Sequence, residues 1–573
     1  MPDAGGQPTF GRRRLLGAAG AGGAAAALSA LLGGCSPPAP LHARSATSST
    51  PVGHTGGTRP AVSPAGSVHF DDLGLPVASW VVEENARPGT TAWLVSGTPP
   101  HGIEGFASDV SAVAGDVVTL YVNTSASRYF VDAYRLGWYQ GRGGRLVASL
   151  GSAPGSRQPA ASVAAGVNMV ECRWRAGLSF SVERSWPPGY YLLKLTGDNG
   201  YSQWVPLVVR DDASEATFVV QSSVTTWQAY NLWGGYSLYG TSAGGGGYSA
   251  RSRVVSFDRP YPSTWENGSA DLFGNEYPFV ALAERHGLDV TYWTDIDLHR
   301  RPGLLSNHRA LVSLGHDEYW SSSMRFGTQA AVDRGLNFAV LGANCCYRHI
   351  RLEASPVGPD RREVCYKVAT EDPLYGKDDS AVTANWPDGP DPRPECALIG
   401  VEYQAYGGSG SYVVVEASSQ LLTGTGLQNG DLIPGVLGSE FDSYVPRPPS
   451  PANFEIICHA TTPSAIGPAT ADMGYFTKPP GAGDRPAGGG VFASGTAAFV
   501  NRLWANSGAL PVPFAPVALP ATPVVSRIAL NVLAAFARGP ASDASLAQPS
   551  RANWQQFYAS GSGTLSPVEA ASL

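Results

Sequence analysis

From Thr217 onward the chain alternates short, continuously apolar runs with amphipathic stretches, and that alternation limits its possible architectures more than any other feature. Thr217–Gln221, Leu288–Trp293, Ala310–Leu314, Leu336–Leu341 and Gly490–Ala493 are too short for helices and nearly free of charge, as strands buried on both faces are. Pro278–Gly287, Met324–Arg334 and Ser526–Ala537 carry apolar side chains at helical spacing, with Gly287 and Gly335 as stop signals. The pattern predicts a parallel sheet covered by helices on both faces. The interval 352–489 has few helical signals and reads as a long insertion, partly β.

Upstream the rhythm differs. Segments around Asp116–Val122, Tyr129–Arg135, Tyr190–Leu195 and Trp204–Val209 are short and rich in β-branched and aromatic residues. Turn residues at Gly115, Gly141 to Gly144 and Pro187 to Gly189 separate them, which predicts an immunoglobulin-like β-sandwich over residues 67–212. The second domain then runs over 213–573. Of the 573 residues only 15% are charged, 69 are Gly and 46 are Pro, which opposes a long-helix protein and suits strands and turns. A formal charge of −7 supplies no footprint for nucleic acid.

The first 66 residues belong to neither domain. Arg12-Arg13-Arg14-Leu15-Leu16, an Ala/Gly/Leu stretch and Leu32-Gly33-Gly34-Cys35 resemble a twin-arginine export signal ending in a bacterial lipobox. Residues 1–35 are thus expected to be a signal, with lipidation of Cys35 as the membrane contact, and 36–66 a disordered tether. The expected location is the outer face of the cytoplasmic membrane, or secreted. The other six cysteines, Cys172, Cys345, Cys346, Cys365, Cys396 and Cys458, allow disulfides in an oxidising compartment, with pairing among the middle four left open. None stands at zinc-ribbon spacing.

In an open parallel sheet, sites lie beyond the carboxyl ends of the strands. There the sequence places Thr225 to Asn231, then Asp295 and Asp297, then Gly315-His316-Asp317-Glu318-Tyr319-Trp320, then Gly342-Ala343-Asn344, and finally Ser494-Gly495-Thr496. His316 and Glu318 fall on one side of an extended loop, which suits a metal or an acid–base pair. Asp317 reads instead as the cap of the following helix. No Gly-x-Ser-x-Gly elbow is evident after a predicted strand, the glycine run Gly240 to Gly247 reads as a flexible loop, and no His-Glu-x-x-His occurs. With 24 tyrosines in the chain, any one of them is by default a packing residue.

Four separated segments, Trp227 to Gly235, Ser256 to Tyr261, Gly315 to Trp320 and Leu341 to Asn344, together resemble the large-subunit family of N,N-dimethylformamidase over roughly residues 215–540. The resemblance implies a glutamine-amidotransferase-like α/β fold and hydrolysis of a small amide substrate at a ferric iron (Fe3+) held by two tyrosinates and a glutamate. Tyr230, Tyr261 and Glu318 match those ligands. His316 and Asn344 match site residues, and Glu440 matches a further glutamate, with Glu402 and Glu455 as competitors. Phenolate and carboxylate oxygens are hard donors, and a tyrosine of pKa about 10 stays ionised at neutral pH only beside a strong Lewis acid. An export signal, tether and sandwich replace the separate small subunit of the known amidase type, a departure that argues against a small-subunit partner. Two other readings fit the same residues: a cell-surface binding protein retaining the scaffold, and a hydrolase of cell-envelope amides or glycans.

Overall fold

The computed structural model describes residues 66–558, apart from 96–97, 243–246, 483–485, 505–522 and 546. The expected signal, Cys35 and nearly all of the tether lie outside the described residues. The fold is mixed α/β and mostly strands. In chain order the large sheet comprises β1 (Phe218–Ser222), β2 (Val290–Thr294), β3 (Ala310–Gly315), β4 (Asn337–Gly342), β5 (Glu402–Val414), β6 (Leu432–Ser443), β7 (Glu455–Ser464), β8 (Gly467–Thr477) and β9 (Gly490–Ala493). Their spatial order is β2-β1-β3-β4-β9-β8-β7-β5-β6.

From β2 to β9 every pairing is parallel. From β9 to β6 every pairing is antiparallel. The expected purely parallel sheet is therefore a mixed one. Much of the long insertion lies within the sheet, since it supplies β5 to β8. Its strands were hard to read because β5 carries Gly407, Gly408 and Gly410 and shifts register three times against β6.

The helices fall close to where periodicity places them, at α1 (Tyr277–Arg285), α2 (Ser322–Asp333) and α3 (Pro523–Ala537). α2 is capped by Ser321, whose hydroxyl accepts from the Met324 amide. Asp317 is not its cap. Asp317 instead accepts from Gln221 Nε2 (2.8 Å), Ser313 Oγ (2.8 Å) and Trp320 Nε1 (2.9 Å), and so ties the ends of β1 and β3 together. Asp295 accepts from the Thr225 amide at 2.9 Å, and Asp297 from the Thr294 amide at 2.9 Å. Both acids are structural.

Upstream, a five-stranded sheet includes Arg128–Leu136, Gly144–Pro154, Gly189–Gly197 and Ser202–Val209, and a three-stranded sheet includes Ile103–Ala107 and Val117–Thr124. One continuous apolar core joins this part to the large sheet, with Trp93, Tyr134, Tyr190 and Trp204 packed with Phe218, Phe273, Phe279 and Tyr292. Arg135 and Glu284 pair at 2.5 Å inside it, both wholly buried. All six cysteines of the described residues are buried and free, so none of the pairings left open is formed. No helix among the described residues is long and apolar enough to cross a membrane.

Candidate functional site

Because β2, β1, β3, β4 and β9 run parallel, their carboxyl ends share one edge, and the loops following β1, β3 and β4 meet there. Glycine ends several of these strands for steric reasons. Gly315 takes φ +58° against Asn275, and a Cβ at Gly342 would run into the Gly315 carbonyl. This close approach lets the loops after β3 and β4 diverge around a common cleft.

Thr226, in the helix after β1, accepts the Glu318 amide at 2.9 Å and fixes the His316–Glu318 loop. The Glu318 carboxylate is then surrounded by donors. Tyr230 Oη donates to its Oε2 at 2.9 Å, and Tyr239 Oη reaches the same oxygen at 2.7 Å. The two phenol oxygens are 2.8 Å apart, and their rings stack at 4.3 Å. Tyr319 Oη donates to Tyr239 Oη at 2.8 Å, and Arg348 Nε to Glu318 Oε1 at 3.0 Å. Lys367 Nζ lies 3.1 Å from the centre of the Tyr239 ring.

Facing this cluster, His316 Nε2 lies 3.4 Å from Glu318 Oε2 and 3.0 Å from Glu440 Oε2. Asn344 Nδ2 donates to the same Glu440 oxygen at 2.9 Å. Asn344 takes φ +56°, a left-handed conformation that Asn tolerates, and its amide is held by Asp442 at 2.9 Å.

Burial and charge polarise these groups. Burial alone would lower the pKa of His316, but Glu440 and Glu318 outweigh it and raise it to about 10. Burial would raise Glu318, yet the His316 hydrogen bond and the Arg348 charge hold it well below the usual carboxylate range. Burial and the Glu318 charge push both Tyr230 and Tyr239 far above an ordinary phenol. Without a metal ion beside them, then, both tyrosines are neutral donors to an ionised Glu318.

The structure thus brings together Tyr230, Glu318, His316, Asn344 and Glu440, and leaves Tyr261 out. Tyr261 stands edge-on to Trp227 and Trp265, and its carbonyl accepts from Gln203 of the upstream sheet. The hydroxyl beside Tyr230 and Glu318 is that of Tyr239. The Phe-Asp-Arg-Pro-Tyr segment acts on the cleft through a different residue. Buried Arg259 donates to the Trp233 carbonyl (3.1 Å), the Tyr236 carbonyl (2.9 Å) and Gln228 Oε1 (3.1 Å), and so shapes the loop that presents Tyr239. Of the competing glutamates, Glu402 pairs with Arg447 and Glu455 accepts the Arg551 amide, so neither is in the cleft. Sequence reasoning also missed Tyr319, Arg348 and Lys367. Tyr319 directly follows Glu318 and had a local signal; the other two lie on later segments that only the fold returns to the cleft.

Among the described residues, no group of three or more His, Cys, Asp and Glu side chains is placed to hold a metal ion. The oxygen donors in mutual contact at Glu318 Oε2 come from the phenols of Tyr230 and Tyr239 and from that carboxylate. No curated protein matches the sequence at significant similarity. The family profile described as N,N-dimethylformamidase beta subunit-like, C-terminal, matches residues 130–509, starting within the upstream sheet and ending past β9. With most of its length matched, and the segments that build the cleft inside the match, the chain belongs to the N,N-dimethylformamidase beta subunit-like family.

Proposed function

We propose that the protein is a metal-dependent amidohydrolase that cleaves the C–N bond of a small amide, and that Tyr230, Tyr239 and Glu318 hold a hard cation such as ferric iron. One observation carries this reading: the two phenol oxygens and Glu318 Oε2 are mutually 2.7–2.9 Å apart. Two oxygens each about 2 Å from a single cation and at right angles to one another are about 2.8 Å apart, so the trio has the spacing of one coordination face. All three are hard oxygen donors, suited to a hard ion. When bound, such an ion supplies Lewis-acid polarisation of an amide carbonyl.

The chain's own groups carry the proton traffic. Glu440, held by Asn344, is positioned to accept a proton from an attacking water, whose oxygen bonds to the carbonyl carbon. His316, 3.0 Å from Glu440, passes a proton to the nitrogen that leaves. Asn344 Nδ2 and the His316 N–H are the donors available to the developing oxyanion. The order of the parallel strands supports a glutamine-amidotransferase-type reading of that half, with His-Asp-Glu standing where such an enzyme needs a cysteine nucleophile. We read the upstream sheets as an immunoglobulin-like sandwich. Export and lipid anchoring rest on the sequence of residues 12–35 alone.

Purified protein is expected to contain stoichiometric iron, to show tyrosinate-to-iron absorption, and to hydrolyse N,N-dimethylformamide or a related small amide. Glu318→Ala should remove all three while circular dichroism stays unchanged. Iron-free protein with full amidase activity, or iron-loaded protein inert across a panel of formamides and acetamides, would overturn the reading.

A further inference from the structure

We propose that a second groove, separate from the tyrosine–glutamate cleft, binds one or two rings of an uncharged saccharide. The groove encloses about 260 Å3. Trp80, Glu83 and Arg87 line it from the helix Ser79–Ala86 and the residue after it, and Arg184, Trp186 and Pro187 line it from the turn before Gly189–Gly197.

Trp186 is a built part of this surface. It is 3% exposed and stacks on Tyr191 at 5.2 Å and Phe180 at 5.8 Å, which fixes its plane. Its indole N–H has no hydrogen-bond partner among the described residues and is not sealed from the groove. An accessible N–H on a fixed ring, without a protein partner, is free to donate to a ligand that accepts from it. Trp80 adds a second, partly buried indole. Glu83 and Arg184 have no ion-pair partner among the described residues, whereas Arg87 is engaged with Glu84 at 3.3 Å.

The Trp80 indole can offer a face to the C–H face of a pyranose, the Trp186 indole only its N–H edge, and a carboxylate and a guanidinium each make paired hydrogen bonds to neighbouring hydroxyls. One free acid and one free base offset each other, so a neutral ligand fits better than an anion or a cation. Sites for drug-sized ligands begin at roughly 300 Å3, so this smaller volume suits a mono- or disaccharide unit.

The test is intrinsic tryptophan fluorescence of the full-length protein titrated with cellobiose, maltose and N,N′-diacetylchitobiose. A saturable change with at least one of them is expected. Trp80→Ala and Glu83→Gln should each weaken it at least about tenfold, the loss of one stacked ring or one charge-assisted bond. Both variants should keep the wild-type circular dichroism and amide hydrolysis. No saturable change with any of the three sugars, or unchanged affinity in both variants, would refute the proposal.

Discussion

Tyr239 concentrates the chemistry of the cleft in one hydroxyl. It touches Tyr230, Tyr319 and Glu318, and it lies under Lys367 Nζ. Phenylalanine at this position keeps the ring stack and removes the oxygen. We expect Tyr239→Phe to lower kcat/KM at least about a hundredfold, the scale of a lost site donor or ligand, and to weaken the tyrosinate absorption. Tyr261→Phe should leave both within about threefold of wild type, since Tyr261 packs between indoles outside the cleft. The opposite ranking would restore Tyr261 as the second oxygen donor. His316, Glu318 and Asn344 lie within three residues of a strand end, where short-range sequence decides position, whereas Tyr230, at the end of the helix after β1, was singled out through the family resemblance. Tyr239 was not legible, since Arg259, twenty residues further on, sets the path of its loop.

At the level of elements, the strand ends are tied by side chains that read as something else in the sequence. Asp317 looks like a helix cap, yet it receives three buried donors from β1, β3 and the short strand Tyr319–Ser321, while Ser321 caps α2. The two roles differ in cost. Ser321→Ala should destabilise by about 1 kcal/mol, the usual value of a cap. Asp317→Ala should cost about 3 kcal/mol or more, because it leaves buried donors unsatisfied. Urea unfolding of both variants measures the difference, and equal costs would return Asp317 to the capping role. The parallel strands were readable because burial on both faces leaves an unbroken apolar run. The antiparallel strands of the insertion were not, since glycines and register shifts in β5 blur the alternation that would mark them.

For the whole molecule, the pair Arg135–Glu284 links an upstream strand to α1. Glu284 also accepts from Tyr292 of β2 at 2.8 Å, and Arg135 donates to the Pro188 carbonyl at 2.8 Å. Glu284→Ala would leave a guanidinium buried without its partner, a loss of about 3–5 kcal/mol. Because the apolar core is continuous across the same boundary, calorimetry should show the variant's upstream sheets and large sheet melting together at a lower temperature. A separate early transition of the upstream part would contradict this. By itself the sequence determined the parallel strands, the helices over them and the segments at their carboxyl ends, because hydrophobic period and turn chemistry act over a few residues. Only the tertiary structure decided that the insertion extends the large sheet, that the six cysteines stay free, and that Tyr239 rather than Tyr261 meets Glu318. Those outcomes depend on packing between segments up to hundreds of residues apart, and no local pattern encodes which distant partner a side chain will face.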